Sequence, residues 1–266
     1  MQHLFKSWES LTAAIAGTSH ILLLSDYDGT LTPIVSRPEA AILSPEVKDK
    51  LRALADKSAF SVGIISGRSL AEIKAMVGLR GIYYAGNHGF EIDGPGLKFT
   101  NPAAETAQTE IKTLVSQLTS KLEHINGVII EDKGLSLSVH YRLVKEAEVE
   151  QVAEVFRQIT LPVVNSRKIR VTSGKKVWEA RPPIDWHKGK AVETIVRELK
   201  KVLKDEQPLT IYLGDDTTDE DAFRVLRYPQ GWSIFVGLEN PASNAEYFLT
   251  STREVSSFLS RLIELK

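Results

Sequence analysis

Residues 21–33 read ILLLSDYDGTLTP. Ile21 to Leu24 is an unbroken apolar run, short enough for a strand covered on both faces. Two carboxylates follow it, Asp26 and Asp28, with one residue between them. Gly29 and Thr30 then suit a tight turn that brings backbone N–H groups toward an anion. An acidic pair behind an apolar strand is ordinarily a solvated loop. What the rest of the chain brings to the same edge decides whether this one is a site.

Downstream, Ser44-Pro45 supplies an N-cap and a proline at the first helical position, and Val47, Leu51 and Leu54 give the helix an apolar face. Ser61 to Ile65 reads as a second buried strand, Leu70, Ile73 and Val77 as one face of a second helix, and Ile82 to Ala85 as a third strand. This β-α-β-α-β rhythm predicts a parallel sheet with helices on both faces. Upstream, Leu4, Trp8, Leu11 and Ile15 recur at helical spacing, interrupted by Lys6, Glu9 and Ser10, so no signal peptide is expected.

The rhythm changes near residue 99. Ala107, Ile111, Leu114, Leu118 and Leu122 mark a long amphipathic helix. Two strands follow, Val128 to Glu131 and Leu135 to Arg142; the second alternates apolar and polar residues, as in a sheet buried on one side. Val149, Val152, Phe156 and Ile159 mark another helix. Lys168 to Thr172 and Lys176 to Ala180 read as a hairpin turning at Ser173-Gly174. Past Arg181-Pro182-Pro183 the parallel pattern returns: a helix face of Val192, Ile195, Leu199 and Val202, strands Leu209 to Leu213 and Trp232 to Val236, and a closing helix with Val255, Phe258, Leu259 and Leu262. The expected organisation is a core from 1–98 and 183–266, with an α+β insert at 99–182.

Ligands of open α/β sheets bind at the carboxyl ends of the strands. Four features fall there: Asp26 to Pro33, the run Ser66-Gly67-Arg68, Lys188 at a helix start, and Gly214 to Asp221, which reads GDDTTDED. Phosphate monoesters are dianions, and a carboxylate attacks one only when that charge is neutralised. A hard cation with oxygen ligands does this, and Asp26 and Asp215 are candidate ligands for Mg²⁺. Lys188 and the Ser66 hydroxyl suit other phosphoryl oxygens. Asp28 suits protonation of the leaving oxygen and then deprotonation of the hydrolytic water. Asp216, Asp219, Glu220 and Asp221 cannot all be ligands; two or more are expected to cap the following helix, and Asp219 is divided between touching the metal and supporting those that do.

Composition narrows the classes. The chain is 42% hydrophobic and 25% charged, ordinary for a globular protein, and its net charge of −1 offers no global field toward nucleic acid or an anionic membrane. Positive charge for an anionic substrate must be local. With no cysteine, disulfides, a thiolate zinc site and a cysteine nucleophile are excluded. No apolar stretch reaches the roughly 20 residues of a membrane span. A cytoplasmic protein is expected.

These motifs, in this order, resemble the haloacid-dehalogenase superfamily of phosphatases. The longer strings DYDGTLTPI (26–34), ISGR (65–68), GNHG (86–89), EDKGLSLSVHYR (131–142), WEARP (178–182) and GDDTTDEDAF (214–223) are similar to those of its trehalose-6-phosphate phosphatase family. The resemblance implies an α/β fold, with a Rossmann-like parallel-sheet core and an inserted α+β cap of the C2 type. It implies Asp26 as nucleophile, Asp28 as acid and base, and Mg²⁺ on Asp26, the Asp28 backbone carbonyl and Asp215. It places Glu131, Lys133, His140, Arg142, Lys176 and Glu179 as sugar or phosphate contacts in the insert, and Gly67, Arg68, Asn87 and His88 as contacts in the core. The implied substrate is trehalose 6-phosphate, made by a separate trehalose-6-phosphate synthase, which is a candidate partner of the chain; sucrose 6-phosphate, a mannosyl phosphoglycerate or another sugar phosphate stays open, as does a non-catalytic regulatory subunit of a trehalose-synthesising complex. Trp178, Trp186 and His187 read as structural.

Overall fold

The computed structural model describes residues 1–226 and 231–266. A short strand β1 (Gln2–His3) and helix α1 (Trp8–Gly17) lead into β2 (Ile21–Ser25). Helix α2 (Pro45–Ala55) starts where the Ser44 hydroxyl accepts the Val47 N–H, with Pro45 at its first position. Strand β3 (Phe60–Ile65) is followed by α3 (Leu70–Val77), capped by Ser69 at one end and by left-handed Gly78 at the other. Then come β4 (Tyr83–Gly86), β5 (Glu91–Gly94) and β6 (Leu97–Thr100). The middle of the chain holds α4 (Pro102–Glu105), α5 (Gln108–Leu122), β7 (Ile129–Asp132), β8 (Leu137–His140), α6 (Glu146–Asn165), β9 (Arg170–Gly174) and β10 (Val177–Arg181). The last part holds α7 (Lys188–Val202), β11 (Leu209–Gly214), α8 (Glu220–Val225), β12 (Gly231–Val236), β13 (Tyr247–Leu249) and α9 (Thr252–Leu265). Among the described residues no helix is long and apolar enough to cross a membrane.

The chain divides into two compact units, Met1–Phe99 with Trp186–Lys266, and Thr100–Asp185. In the first, the sheet among the described residues runs β1-β13-β12-β11-β2-β3-β4-β5-β6. From β1 to β4 neighbours are parallel; β5 turns back antiparallel on β4. Side chains alternate across the sheet, and both faces are packed. Ile21 and Leu23 join Ile211 and Leu213 in a core with Leu51, Leu54, Phe258 and Leu262. Leu22 and Leu24 join Tyr212 in a second core with Val192, Ile195 and Phe223. The register pairs Leu24 with Gly63 and with Tyr212, so β2, β3 and β11 end level. The residues that follow these strands are thereby delivered to one edge.

The second unit is a four-stranded antiparallel sheet, β7-β8-β10-β9, with α5 and α6 packed through one core. Ile111, Leu114, Leu118 and Leu122 of α5 meet Val152 and Phe156 of α6 over Leu137, Val139 and Ala180. Each fully buried Leu or Ile contributes about 1.5–3 kcal/mol. Trp178 stacks on Tyr141 with ring centroids 4.1 Å apart and on Phe156 at 5.5 Å.

Several details depart from the sequence reading. The hairpin closes at Lys175-Lys176 rather than Ser173-Gly174, with Lys176 left-handed at φ +66°. Strand β10 lies between β8 and β9, and its pairing with β8 begins at Val177, which sets where the turn falls. Strand β8 stops at His140, leaving Arg142 beyond it. Ser136 and Ser138, expected on a solvated face, are buried. Val202 ends α7 exposed, because the packed face runs through Val192, Ile195 and Leu199 to Leu203 and leaves Val202 beside it.

Candidate active site

Asp26 is the first residue past β2, and its N–H donates to the Leu213 carbonyl of β11 at 2.8 Å. A tight loop follows. The Gly29 N–H reaches the Thr32 carbonyl at 2.7 Å, and the Leu31 and Thr32 N–H groups both reach the Tyr27 carbonyl at 3.0 Å. Tyr27 is buried and donates its hydroxyl to Ala41, anchoring the loop from below. Gly29 has φ +91°, and a Cβ there would lie 2.3 Å from a carboxylate oxygen of Asp215. Only glycine allows both the turn and the approach of Asp215.

Lys188, the first residue of α7, is 2% exposed. Its Nζ lies 2.6 Å from Asp26 Oδ1 and 2.7 Å from Asp219 Oδ1. Asp219 is fully buried. Its Oδ1 also accepts the Tyr212 hydroxyl at 2.6 Å, and its Oδ2 accepts the N–H groups of Asp215 at 3.1 Å and Asp216 at 3.0 Å. Those four donors fill the roughly four lone-pair sites of a carboxylate. The Asp219 side chain therefore folds the GDDTTDED loop onto itself instead of capping α8; Glu220 and Asp221 occupy the first turn of that helix.

Burial pushes the Asp26 carboxyl well above the usual range; Lys188 opposes this, while Asp219 and Asp215 add to it. Lys188 loses some basicity to burial, but Asp219 and Asp26 outweigh that and hold it above its ordinary value. Burial likewise raises the Tyr212 hydroxyl. Asp26, Asp215 and Asp219 each place a carboxylate oxygen within 4.8 Å of the others. Three carboxyl groups stand against one lysine in a largely buried pocket, an acidic excess that disfavours the ionised form of Asp26 until further positive charge is supplied. An all-oxygen donor set with that excess fits a hard divalent cation such as Mg²⁺.

Asp28 takes a different partner. Both its oxygens face the guanidinium of Arg68, with Nε to Oδ2 at 2.7 Å and Nη2 to Oδ1 at 2.8 Å. Arg68 Nη2 also donates to the Pro38 carbonyl at 2.8 Å, and Nη1 pairs with Glu72. Burial alone would lower the Arg68 pKa; Asp28 and Glu72 reverse this and raise it. Ser66 is buried, and its hydroxyl accepts the Arg68 N–H at 3.2 Å. The GNHG string is folded onto this loop: the Asn87 N–H reaches the Arg68 carbonyl at 2.7 Å, and the His88 N–H reaches that of Ser66 at 2.9 Å. Asn87 and His88 are both left-handed, at φ +50° and +57°, a conformation held by these bonds and by the Asn87 amide on Glu91 at 2.9 Å. A Cβ on Gly67 would come within 2.7 Å of the His88 ring, so the missing side chain makes room for it. Asn87 is fully buried, whereas His88 is half-buried.

In the second unit, β7, β8 and β10 align Glu131, Ser138 and Glu179 across one sheet face. Lys133 Nζ lies 3.4 Å from Glu179 and 3.8 Å from Glu131, and His140 Nε2 lies 2.9 Å from Glu131. Arg142 and Lys176 are outside this group. Arg142 is exposed and donates to the Lys175 carbonyl at 2.9 Å; Lys176 lies 5.8 Å over the Tyr141 ring.

The sequence profile of the family described as Trehalose-phosphatase matches residues 24–253. The chain belongs to the trehalose-phosphatase family. Membership makes it an enzyme of the phosphatase class. It is 37% identical to trehalose-phosphate phosphatase B of Arabidopsis thaliana, over 92% of this chain and 67% of that protein. It is 37% identical to trehalose 6-phosphate phosphatase RA3 of Zea mays, over 97% of this chain and 74% of the relative. The structure of the C-terminal domain of C. albicans trehalose-6-phosphate phosphatase superposes with a TM-score of 0.79 and 28% identity, covering 97% of each chain. The same α/β fold with its large parallel sheet is shared with that domain.

Within the family framework, two residues of the site escaped the sequence reading. Tyr212 is one of two hydroxyl side chains in β11, with Thr210, and its larger buried phenol at the carboxyl-end half of the strand signals a partner near the site. Glu72 stands four residues after Arg68, the spacing of an ion pair at a helix start.

Proposed function

We propose that this chain hydrolyses trehalose 6-phosphate to trehalose and phosphate, through a phosphoryl group carried on Asp26. The observation that carries the proposal is Lys188 Nζ, buried between Asp26 and Asp219 at 2.6 and 2.7 Å beside Asp215. A carboxylate so placed has the positive charge that attack on a dianion requires. An Asp26 oxygen bonds to phosphorus as the phosphorus–sugar oxygen bond breaks, and Asp28 gives its proton to the departing oxygen. Asp28 then takes a proton from water, whose oxygen attacks phosphorus and frees Asp26. Lys188 and the Ser66 hydroxyl hold phosphoryl oxygens.

Mg²⁺ is part of this reading, held by Asp26 and Asp215, with the Asp28 backbone carbonyl as the resemblance implies. Bound there, it would neutralise phosphoryl charge as a Lewis acid. Asp219, with both oxygens already engaged, supports the loop that carries Asp215. Sugar recognition is assigned to Glu131, Lys133, His140 and Glu179 on the polar sheet face of Thr100–Asp185, with Arg142 and Lys176 at its hairpin end and His88 in the other unit; this unit is the proposed cap. Asn87 is assigned to shaping the His88 loop.

The test is a panel of sugar phosphates assayed with Mg²⁺. Release from trehalose 6-phosphate far above sucrose 6-phosphate, a mannosyl phosphoglycerate and glucose 6-phosphate is expected. Clear release from another member with none from trehalose 6-phosphate would refute the substrate. Asp26→Asn is expected to abolish turnover, and retained activity would refute attack by Asp26.

A further inference from the structure

Arg68 was expected to contact substrate. Its guanidinium is instead enclosed and committed. The side chain is 7% exposed, and its three nitrogens contact Asp28 twice, the Pro38 carbonyl and Glu72. These contacts use most of its five N–H groups. The Tyr27 ring lies 5.8 Å from the guanidinium carbon. Three segments therefore meet at this one group: the loop after β2, the start of α3 and the stretch around Pro38.

Resting on the proposed phosphatase reading, we infer that Arg68 is a positioning residue for Asp28, stayed by Glu72, and does not bind the sugar phosphate. A planar fork facing both oxygens fixes the plane and direction of the carboxyl group, which a single-point ammonium cannot do. Asp28 is 40% exposed on its side chain, so one edge of the carboxyl is held while the other stays accessible. Each oxygen retains a lone-pair site away from Arg68, where a proton is carried. When the phosphorus–oxygen bond to the leaving group breaks and the bond to Asp26 forms, that proton passes to the leaving oxygen. Misdirecting the carboxyl costs most when the leaving oxygen is most basic.

Leaving-group dependence reads this directly. kcat/KM is measured for aryl phosphates from phenyl to 2,4-dinitrophenyl, which carry no sugar and report the step up to leaving-group departure. Arg68→Lys is expected to lower kcat/KM by about 10–100-fold for phenyl phosphate, part of the roughly 10²–10⁴-fold that a positioned general acid contributes. For dinitrophenyl phosphate the loss is expected to be less than about threefold, since its leaving group needs little protonation. The plot against leaving-group pKa steepens toward that of Asp28→Asn. Glu72→Gln, on a side chain 32% exposed, is expected to steepen it less. A fall in folded fraction or a lost phosphate contact moves the line without changing its slope. Arg68→Lys and Glu72→Gln lines parallel to wild type, or an unchanged slope in Asp28→Asn, would overturn the inference. Absence of aryl and sugar phosphate turnover by the wild-type chain would instead refute the phosphatase reading beneath it.

Discussion

Asp219→Asn keeps the shape of the side chain and removes one acceptor oxygen. All four groups around the carboxylate are donors: Lys188 Nζ, the Tyr212 hydroxyl and the N–H groups of Asp215 and Asp216. An amide turned either way aims its own N–H groups at two of them. With the oxygen kept on the backbone pair, the bonds to Lys188 and Tyr212 are lost. Both bonds end on a carboxylate and are charge-assisted, at about 1.5–3 kcal/mol each, so the gross loss is about 3–6 kcal/mol. Lower repulsion with Asp26 and Asp215, and rotation of the tyrosine hydroxyl to accept, offset part of it. The expected net loss is about 2–3 kcal/mol, a fall of roughly 5–10 °C in the unfolding midpoint for a chain of this size. Tyr212→Phe is expected to cost about 1.5–3 kcal/mol in the wild-type background and about 1 kcal/mol less in Asp219→Asn, where the bond is no longer charge-assisted, a coupling that a double-mutant cycle isolates. Calorimetric melts of the metal-free proteins provide the assay. A wild-type midpoint in Asp219→Asn, or an equal cost of Tyr212→Phe in both backgrounds, would refute the donor-only shell.

Gly29→Ala is expected to displace Asp215, because the new Cβ falls 2.3 Å from its carboxylate at φ +91°; a misplacement near 1 Å costs about 100-fold in activity, and Mg²⁺ affinity by titration calorimetry should fall with it. After chelation, Mg²⁺ added at about 100 times its dissociation constant should stabilise the wild type by roughly 2.7 kcal/mol, and Asp215→Asn should lose most of this; equal stabilisation in both would remove Asp215 from the site. Burial, aided by Lys266, holds the His20 pKa below its ordinary 6.5. Just below pH 6.5 the native state keeps His20 neutral while the unfolded state takes a proton, so this contribution is fully present above 6.5 and is lost as pH falls from there through the lower native-state value. Stability of His20→Gln should decline less steeply over that window, and identical slopes would dismiss the effect.

The parts of the fold that were legible in the sequence are those whose signal is local. Ile21 to Leu24 and Leu209 to Leu213 read as buried strands because both faces of the sheet are covered, and Ser44-Pro45 marked a helix start that its hydroxyl does cap. Strands β1 and β13, two and three residues long, carry no periodicity and exist because they pair with each other and with β12 at the sheet edge. Strands β5 and β6 alternate weakly because they are only partly buried. At the site, residue types at strand ends pointed to Asp26, Asp215 and Lys188. What they could not reveal was pairing at long range. Asp28 and Arg68 are 40 residues apart, and a lone arginine near a phosphatase motif reads as an anion contact until its partners are visible. Asp219 lay among four acidic residues, and only the fold shows that its carboxylate is the buried one, surrounded by donors.

The central claim is that Asp26 itself carries the phosphoryl group. The most direct measurement is to quench the enzyme during turnover of trehalose 6-phosphate with Mg²⁺, reduce acyl phosphates with borohydride and locate the modified residue by peptide mass spectrometry. Conversion of Asp26 to the reduced alcohol, with Asp28, Asp215 and Asp219 unmodified, is the expected result. Phosphate release at full rate with the label on another carboxylate would contradict the account.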